Sequence, residues 1–381
     1  MEFNIETEAL QDAMKALSVV TRVNTADAEG RLLIRTNEDN TVSLVANNNS
    51  LALVVDVDKV EIKKQGSVSI LYSKVKSFIG SFVAWNGEFG AKEFIFKESK
   101  NKLNIKVDNY FENGKKTSGN LHLELYPTVM IQQPRAFGEA TFILNSSVFK
   151  QAVSKVIYAI DPGDIRQNIQ GMFVSFDNDN ISFTGTNGLM LSEYSVKNIS
   201  TIKEGSYIFK YDFIMALRRM LTEETQVFFE VEERLVRARF DNMTLSGRLV
   251  MSDYPEYKAL FDQYKYSVVV NRDVFMNNIV PFMDVLNADD NNRLTLSIIN
   301  NQLSFKNDYA DLVYSEEVPV DSKSFVIDIN GVFMKQTVEA IKDDQLLIKF
   351  SDELGYLIFD SGNFQDQKAL ITPIKQRAKD E

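Results

Sequence analysis

One hairpin recurs three times along this chain, and that constrains the fold more than any other feature. Ile181–Val196 reads I-S-F-T-G-T-N-G-L-M-L-S-E-Y-S-V. Val42–Val57 reads V-S-L-V-A-N-N-N-S-L-A-L-V-V-D-V, and Leu303–Val318 reads L-S-F-K-N-D-Y-A-D-L-V-Y-S-E-E-V. Each copy has an aliphatic residue, then Ser, then Leu or Phe, a short polar break and a second alternating apolar run. Alternation of period two marks strands with one buried face, and the break marks a turn. Three copies predict a triplicated domain.

The spacing supports the repeat. Val42 and Ile181, Phe3 and Phe142, Leu33 and Met172, and Gly66 and Gly205 all stand 139 positions apart. The third copy is tighter: Phe142 to Val268 is 126 positions and Ile181 to Leu303 is 122, so its loops are shorter. The chain of 381 residues divides into three repeats of ordinary domain size, 1–137, 138–262 and 263–381. The connectors Pro127–Glu139 and Asp253–Lys265 begin near Tyr126-Pro127 and Tyr254-Pro255.

Each repeat reads as strand, helix, strands, strand, helix, strands, an α+β pattern of two helices against antiparallel sheet. In the first, Thr7 is placed to cap a helix running to about Val20, with Leu10, Met14, Leu17 and Val20 on one face. Ser73–Phe82 is its second helix, and Asn113-Gly114 reads as a turn. In the second, Asn145 caps Ser147–Ile160, and Asp212–Leu221 follows. In the third, Asn271 caps a helix that Pro281 should kink, and Val332–Ile341 follows Asn330.

Composition narrows the function classes. With no Cys, disulfides and thiolate chemistry are excluded, and a reducing compartment is compatible. The start Met1-Glu2-Phe3-Asn4 lacks the basic and apolar regions of a secretory signal, and no apolar run approaches a membrane span. The net charge of −11 argues against indiscriminate nucleic-acid binding while leaving room for a local basic surface. The single histidine, His122, lies on an alternating strand and reads as a surface residue rather than a base. Asp289-Asp290-Asn291-Asn292 lacks the spaced ligands and glycine of a calcium loop and reads as a solvated turn. No phosphate-binding glycine loop and no converging carboxylate pair stands out, so no catalysis, metal or cofactor is expected.

Several local motifs then carry a resemblance. Asp164-Ile165-Arg166, Ile169-Gln170-Gly171, Thr186-Asn187-Gly188 with Leu191, Tyr254-Pro255-Glu256-Tyr257 and Thr372-Pro373-Ile374-Lys375 occur in that order. They are similar, in order and spacing, to D-V-R, L-N-G, T-D-G-H-R-L, F-P-D-Y and M-P-M-R of the bacterial sliding clamps, the beta subunits of replicative DNA polymerase. The resemblance covers essentially the whole chain. It implies a head-to-tail homodimeric ring of six similar domains, with helices lining the hole. Two departures stand out. Leu189 and Met190 replace a basic pair, making the site more apolar, and Gln376–Glu381 extends beyond the family's usual end. Divergence of this kind suggests a phage or other mobile replicon.

The resemblance implies three surfaces. The DNA-facing set is Arg22, Lys74, Lys76, Lys150, Lys155, Lys210, Arg218, Arg219, Arg272 and Lys335; Lys74 and Lys76 share an acid-free helix, as do Lys150 and Lys155. Phosphate contacts of this kind carry no sequence information, which suits sliding. A partner-peptide cleft maps to Ile169, Thr186, Gly188, Leu189, Met190, Leu191, Pro255, Leu260, Leu370, Thr372, Pro373 and Ile374, with the flexible Met190 suited to several partners. The strand carrying Leu121 and Leu123 maps to the dimer interface. The implied partners are double-stranded DNA, the replicative polymerase, the clamp loader and a second copy, in the cytoplasm of a bacterium or phage-infected cell. Two other classes stay open: a repeat-built structural protein such as a virion component, and a hydrolase with a carboxylate pair at a domain junction.

Overall fold

The computed structural model describes residues 1–21, 30–83, 92–110, 116–128, 135–177, 179–197, 199, 203–222, 224–286, 288–317, 324–351, 355–361 and 367–374. Arg22, the Asn113-Gly114 turn, Lys375 and the tail Gln376–Glu381 lie outside them. The elements of the first repeat are β1 (Glu2–Glu6), α1 (Thr7–Leu17), β2 (Arg31–Thr36), β3 (Val42–Asn47), β4 (Leu51–Val57), β5 (Val60–Lys64), β6 (Ser67–Leu71), α2 (Tyr72–Val83), β7 (Glu93–Ser99), β8 (Lys102–Tyr110) and β9 (Lys116–Glu124). The second has β10 (Phe142–Asn145), α3 (Ser146–Val156), β11 (Gly171–Asp177), β12 (Asn180–Thr186), β13 (Met190–Lys197), β14 (Gly205–Lys210), α4 (Tyr211–Met220), β15 (Gln226–Val231), β16 (Leu235–Phe240) and β17 (Met243–Val250). The third has β18 (Tyr266–Asn271), α5 (Arg272–Ile279), β19 (Arg293–Ile299), β20 (Gln302–Lys306), β21 (Asp311–Glu317), β22 (Ser324–Asn330), α6 (Gly331–Ala340), β23 (Gln345–Phe350), β24 (Leu357–Ser361) and β25 (Gln367–Ile371). The α+β pattern and the element order of the repeats therefore hold.

By spatial contact the chain forms two compact units, residues 1–146 with 212–249, and residues 147–211 with 250–381. The sequence period and the contact units divide the chain differently, since each unit takes part of the middle repeat. In the first unit, one antiparallel sheet runs β5-β1-β7-β8-β9, and a second runs β10-β15-β16-β17-β4-β3-β2-β6. Helix α1 buries Leu10, Ala13, Met14 and Leu17, the 3-4 spacing of one helical face. The buried Tyr72 hydroxyl donates to the Met14 carbonyl at 2.7 Å, tying α2 to α1. In the second unit, one antiparallel sheet runs β18-β23-β24-β25-β13-β12-β11-β14, and another β21-β20-β19-β22.

All three hairpins are present, as β3–β4, β12–β13 and β20–β21. Each turn is built on an asparagine. The Asn48 Oδ1 accepts from the backbone N–H groups of Ser50 and Leu51, both at 2.8 Å. Asn187 does the same for Leu189 and Met190 at 2.9 Å. Asn307 does so for Tyr309 and Ala310 at 2.9 and 2.8 Å. An asparagine side chain that satisfies two turn amides in place of the ladder explains why the polar break recurs at this point.

The helix caps divide. Asn271 Oδ1 accepts from Val274 N at 3.0 Å, and Asn330 Oδ1 from Phe333 N at 3.1 Å, both as side-chain caps. Thr7 is not a cap: it is the first helical residue, Glu6 precedes it without a side-chain capping bond, and α1 ends at Leu17 rather than Val20. Pro281 ends α5 at Ile279, and a 3-10 segment Val280–Val285 continues the chain.

Candidate functional site

The residues assigned to the peptide cleft come together in the second unit, because β13 pairs with β25. Met190 stands opposite Ile371 and Leu191 opposite Leu370. Beyond the ladder, Thr372 donates both its backbone N–H and its hydroxyl to the Leu189 carbonyl, at 2.9 and 3.0 Å. Ile374 N donates to the Asp328 carbonyl at 2.7 Å. The last apolar residues are thus fixed beside the Asn187 turn.

The turn itself is held from below. Thr186 Oγ1 donates to the Met190 carbonyl at 2.7 Å and accepts from Gly188 N at 3.0 Å. Arg166 donates to the Asn187 carbonyl at 2.8 Å while Asp164 accepts from its backbone N–H, Nε and Nη2. These bonds from Arg166 hold the Asp164 carboxyl well below the usual range, at about 2. Gly188 has φ of +83°, and a Cβ there would meet the Arg166 guanidinium at 2.6 Å, so both backbone and space demand glycine. The Asp-Ile-Arg and Thr-Asn-Gly motifs are therefore one structural device.

Burial separates the assigned residues. Ile169, Thr186, Met190, Leu191 and Leu370 are buried; Leu260, Thr372, Pro373 and Ile374 are half-buried; Gly188, Leu189 and Pro255 are exposed. Met190 is the correction. It is 3% exposed and packs in the core formed with Ile371, Phe359 and Val268, whereas Leu189 is 56% exposed. Leu189 lies in the Asn187 turn and Met190 opens β13, so the turn projects one side chain outward while the strand carries the next into the core.

Leu191 and Leu370 instead join an aromatic cluster with Tyr257, Phe261 and Ile358, flanked by Phe173, Tyr254 and Leu260. Phe173 stacks on Tyr254 at 4.5 Å, and Tyr257 meets Tyr254 edge-on at 5.9 Å. The Tyr257 hydroxyl lies 2.9 Å from Thr184 Oγ1 and donates to Glu193 Oε2 at 2.5 Å. Burial pushes both tyrosine hydroxyls up, and for Tyr257 the adjacent Glu193 adds to it, so both stay protonated at physiological pH. Phe173 and Phe261 had no motif to mark them in the sequence, and Tyr257, part of the Tyr254-Pro255-Glu256-Tyr257 motif, was not assigned to the cleft.

The basic set also divides. Lys74, Lys76 and Arg219 are exposed, and Lys150, Lys210 and Arg218 are half-buried. Lys15, which is not in the set read from the sequence, is exposed and lines one groove of about 250 Å³ with Lys76. Lys155 is not the exposed side chain expected: it is 7% exposed, donates to Gln367 Oε1 at 2.8 Å and sits 5.0 Å from the Tyr194 ring. Arg272 donates to the Val338 and Ile341 carbonyls at the end of α6, and Lys335 pairs with Glu339 one turn on. Both are engaged within the fold.

Strand β9 ends the five-stranded sheet, with β8 on one side only among the described residues. Leu123 is buried and Leu121 half-buried, so the two leucines face their own core, and what the edge offers is backbone. His122 on β9 bonds Asn104, and Asp290 pairs with Arg293 at 3.0 Å. Among the described residues no group of three His, Cys, Asp or Glu could hold a metal, and no helix is long and apolar enough to cross a membrane.

This architecture, three repeats of two helices on antiparallel sheet with a built loop beside the last strand, is that of the sliding clamps. Residues 143–256 match the family described as DNA polymerase III beta subunit, central domain. A beta sliding clamp from Pseudomonas putida is 20% identical over 381 residues, covering 98% of this chain and all of the relative. The DNA polymerase III beta subunit of Pseudomonas aeruginosa superposes with a TM-score of 0.85 at 17% identity, covering 99% of this chain and 100% of that one. The Bacillus subtilis sliding clamp does so at 0.85 and 13%, with the same coverage. The central region thus matches the beta-subunit family, and the whole fold matches that of solved beta clamps at low identity. The reading of a repeat-built virion protein finds no support in these relatives.

Proposed function

We propose that this chain is a DNA sliding clamp, a non-catalytic processivity factor that encircles duplex DNA and tethers the replicative polymerase. The observation that carries the reading is the match of the whole three-repeat fold to beta clamps at both ends of the chain. Two copies, each of three repeats bordered near 137 and 262, close a ring, with the backbone edge of β9 meeting the last repeat of the partner. An unpaired edge is otherwise an aggregation liability. The ring works in the bacterial or phage-infected cytoplasm.

Lys15, Lys74, Lys76, Lys150, Lys210, Arg218 and Arg219 are the cations we assign to DNA. They meet phosphates, not bases, so the grip is salt-sensitive and blind to sequence. In an acidic chain, enclosure rather than affinity holds the duplex. Arg22 stays in the proposed set on the resemblance alone.

Polymerase and clamp loader dock by extended peptides at the loop around Leu189 and the half-buried Leu260, Thr372, Pro373 and Ile374. Exposed Leu189 in place of a basic residue favours a more apolar peptide. Burying a leucine and an aromatic ring is worth about 1.5–3 kcal/mol each, opposed by the cost of ordering the peptide. The affinity expected is about micromolar, which lets partners exchange. Loader-dependent retention on circular duplex DNA tests the function.

A further inference from the structure

Three residues lining one cavity of about 360 Å³ in the first unit each carry a buried polar atom without a hydrogen-bond partner among the described residues: Arg237 Nε, Ser246 Oγ and Asn47 Oδ1. They belong to a single cross-strand row. Glu230 on β15 faces Arg237 on β16, Arg237 faces Ser246 on β17, Ser246 faces Ala52 on β4, and Ala52 faces Asn47 on β3. Directly opposed residues hold their Cβ atoms about 4.5–5.5 Å apart, so Arg237 and Ser246 offer adjacent groups to one occupant. Arg237 and Ser246 are 2% and 8% exposed.

The rest of Arg237 is spent. Its Nη1 donates to the Arg135 and Ala136 carbonyls at 3.0 and 3.1 Å, and its Nη2 to Glu230 at 2.9 Å. Arg135 is likewise bound to Glu230 and Glu232. That leaves one guanidinium N–H, one hydroxyl and one amide oxygen, all buried and without a partner among the described residues, on three residues that line the cavity. Arg248 lies at the mouth with no ion-pair partner among the described residues, and Leu51 and Leu235 supply apolar wall. Leaving buried polar atoms unmade costs about 1–3 kcal/mol each, which an occupant recovers.

We propose that this cavity binds a carboxylate flanked by an N–H or O–H donor. The two oxygens accept from Arg237 Nε–H and Ser246 Oγ–H, and the adjacent donor meets Asn47 Oδ1. Two available donors match the two oxygens of a planar carboxylate, whereas a phosphate dianion needs more. The carboxylate comes from a free acid or chain terminus, or from an acidic side chain within a peptide.

Methyl resonances of Leu51 and Leu235 in the full chain, titrated with N-acetylglycine, test this. The expected result is a saturable shift, weakened about tenfold by Ser246→Ala or by Arg248→Ala and absent with the uncharged N-acetylglycinamide. Arg248→Ala, on an exposed side chain, keeps the test open if Ser246→Ala misfolds. Tighter saturation by N-acetylaspartate methylamide assigns the source to an internal acidic residue, and tighter saturation by N-acetylglycine to a terminus or free acid; both support the site. No saturable shift, an equal response to the uncharged amide, or inorganic phosphate saturating equally in all variants overturns it and leaves the cavity to water.

Discussion

The carbonyl oxygen of Leu189 accepts two hydrogen bonds from Thr372, from its backbone N–H at 2.9 Å and its hydroxyl at 3.0 Å. This pair locks the turn of the middle repeat to the end of the last strand. It leaves the Leu189 side chain pointing outward while Met190 points into the core.

The two residues therefore respond differently to the same substitution. Leu189→Asp should leave thermal stability unchanged and weaken a polymerase-tail peptide about tenfold or more, since the apolar contact of one leucine is lost. Met190→Asp should instead destabilise the whole unit, and even Met190→Ala should cost about 2–5 kcal/mol. Urea denaturation alongside peptide anisotropy separates them. Peptide binding that survives Leu189→Asp at full strength contradicts the cleft assignment.

Charge reversal distinguishes exposed from buried lysines. Lys15→Glu with Lys74→Glu and Lys76→Glu should impair loading onto DNA and lower its salt dependence without unfolding the chain. Lys155→Met, which keeps most of the buried stem against Tyr194, should load normally. Loss of loading with Lys155→Met in a folded protein would return that residue to the DNA-facing set.

The loop below Leu189 should resist acid. The Asp164 carboxyl is held down to about 2 by its bonds to Arg166. A lowered folded value means that its contribution is present above the unfolded value of 3.8 and is lost only as pH falls through about 2. Carboxyl carbon NMR should find the Asp164 midpoint near 2, and Arg166→Ala should move it back toward 3.8.

Much of this was legible in the sequence, for local reasons. Asn48, Asn187 and Asn307 make the same two turn bonds, so the repeated polar break was a repeated turn. Asn271 and Asn330 cap as their positions imply. What was hidden needed tertiary partners. Leu189, Met190 and Leu191 are all apolar, and a strand's phase cannot be read from a run without alternation. Lys155 follows helical spacing, yet its burial depends on Gln367, 212 positions away. Arg272 looked like a free cation because the carbonyls it serves belong to another helix.

The edge of β9 is the proposed ring interface. Light scattering should give twice the 43.4 kDa chain mass. Proline in place of Leu121 removes a backbone donor from that strand and should shift the particle toward the monomer. A parent that stays monomeric at micromolar concentration contradicts the ring.

The most direct measurement is retention on DNA of two topologies. Loaded by its loader onto nicked circular duplex, the protein should remain bound through gel filtration and leave when one restriction cut linearises the circle. Equal loss from cut and uncut circles would show ordinary binding and contradict the clamp.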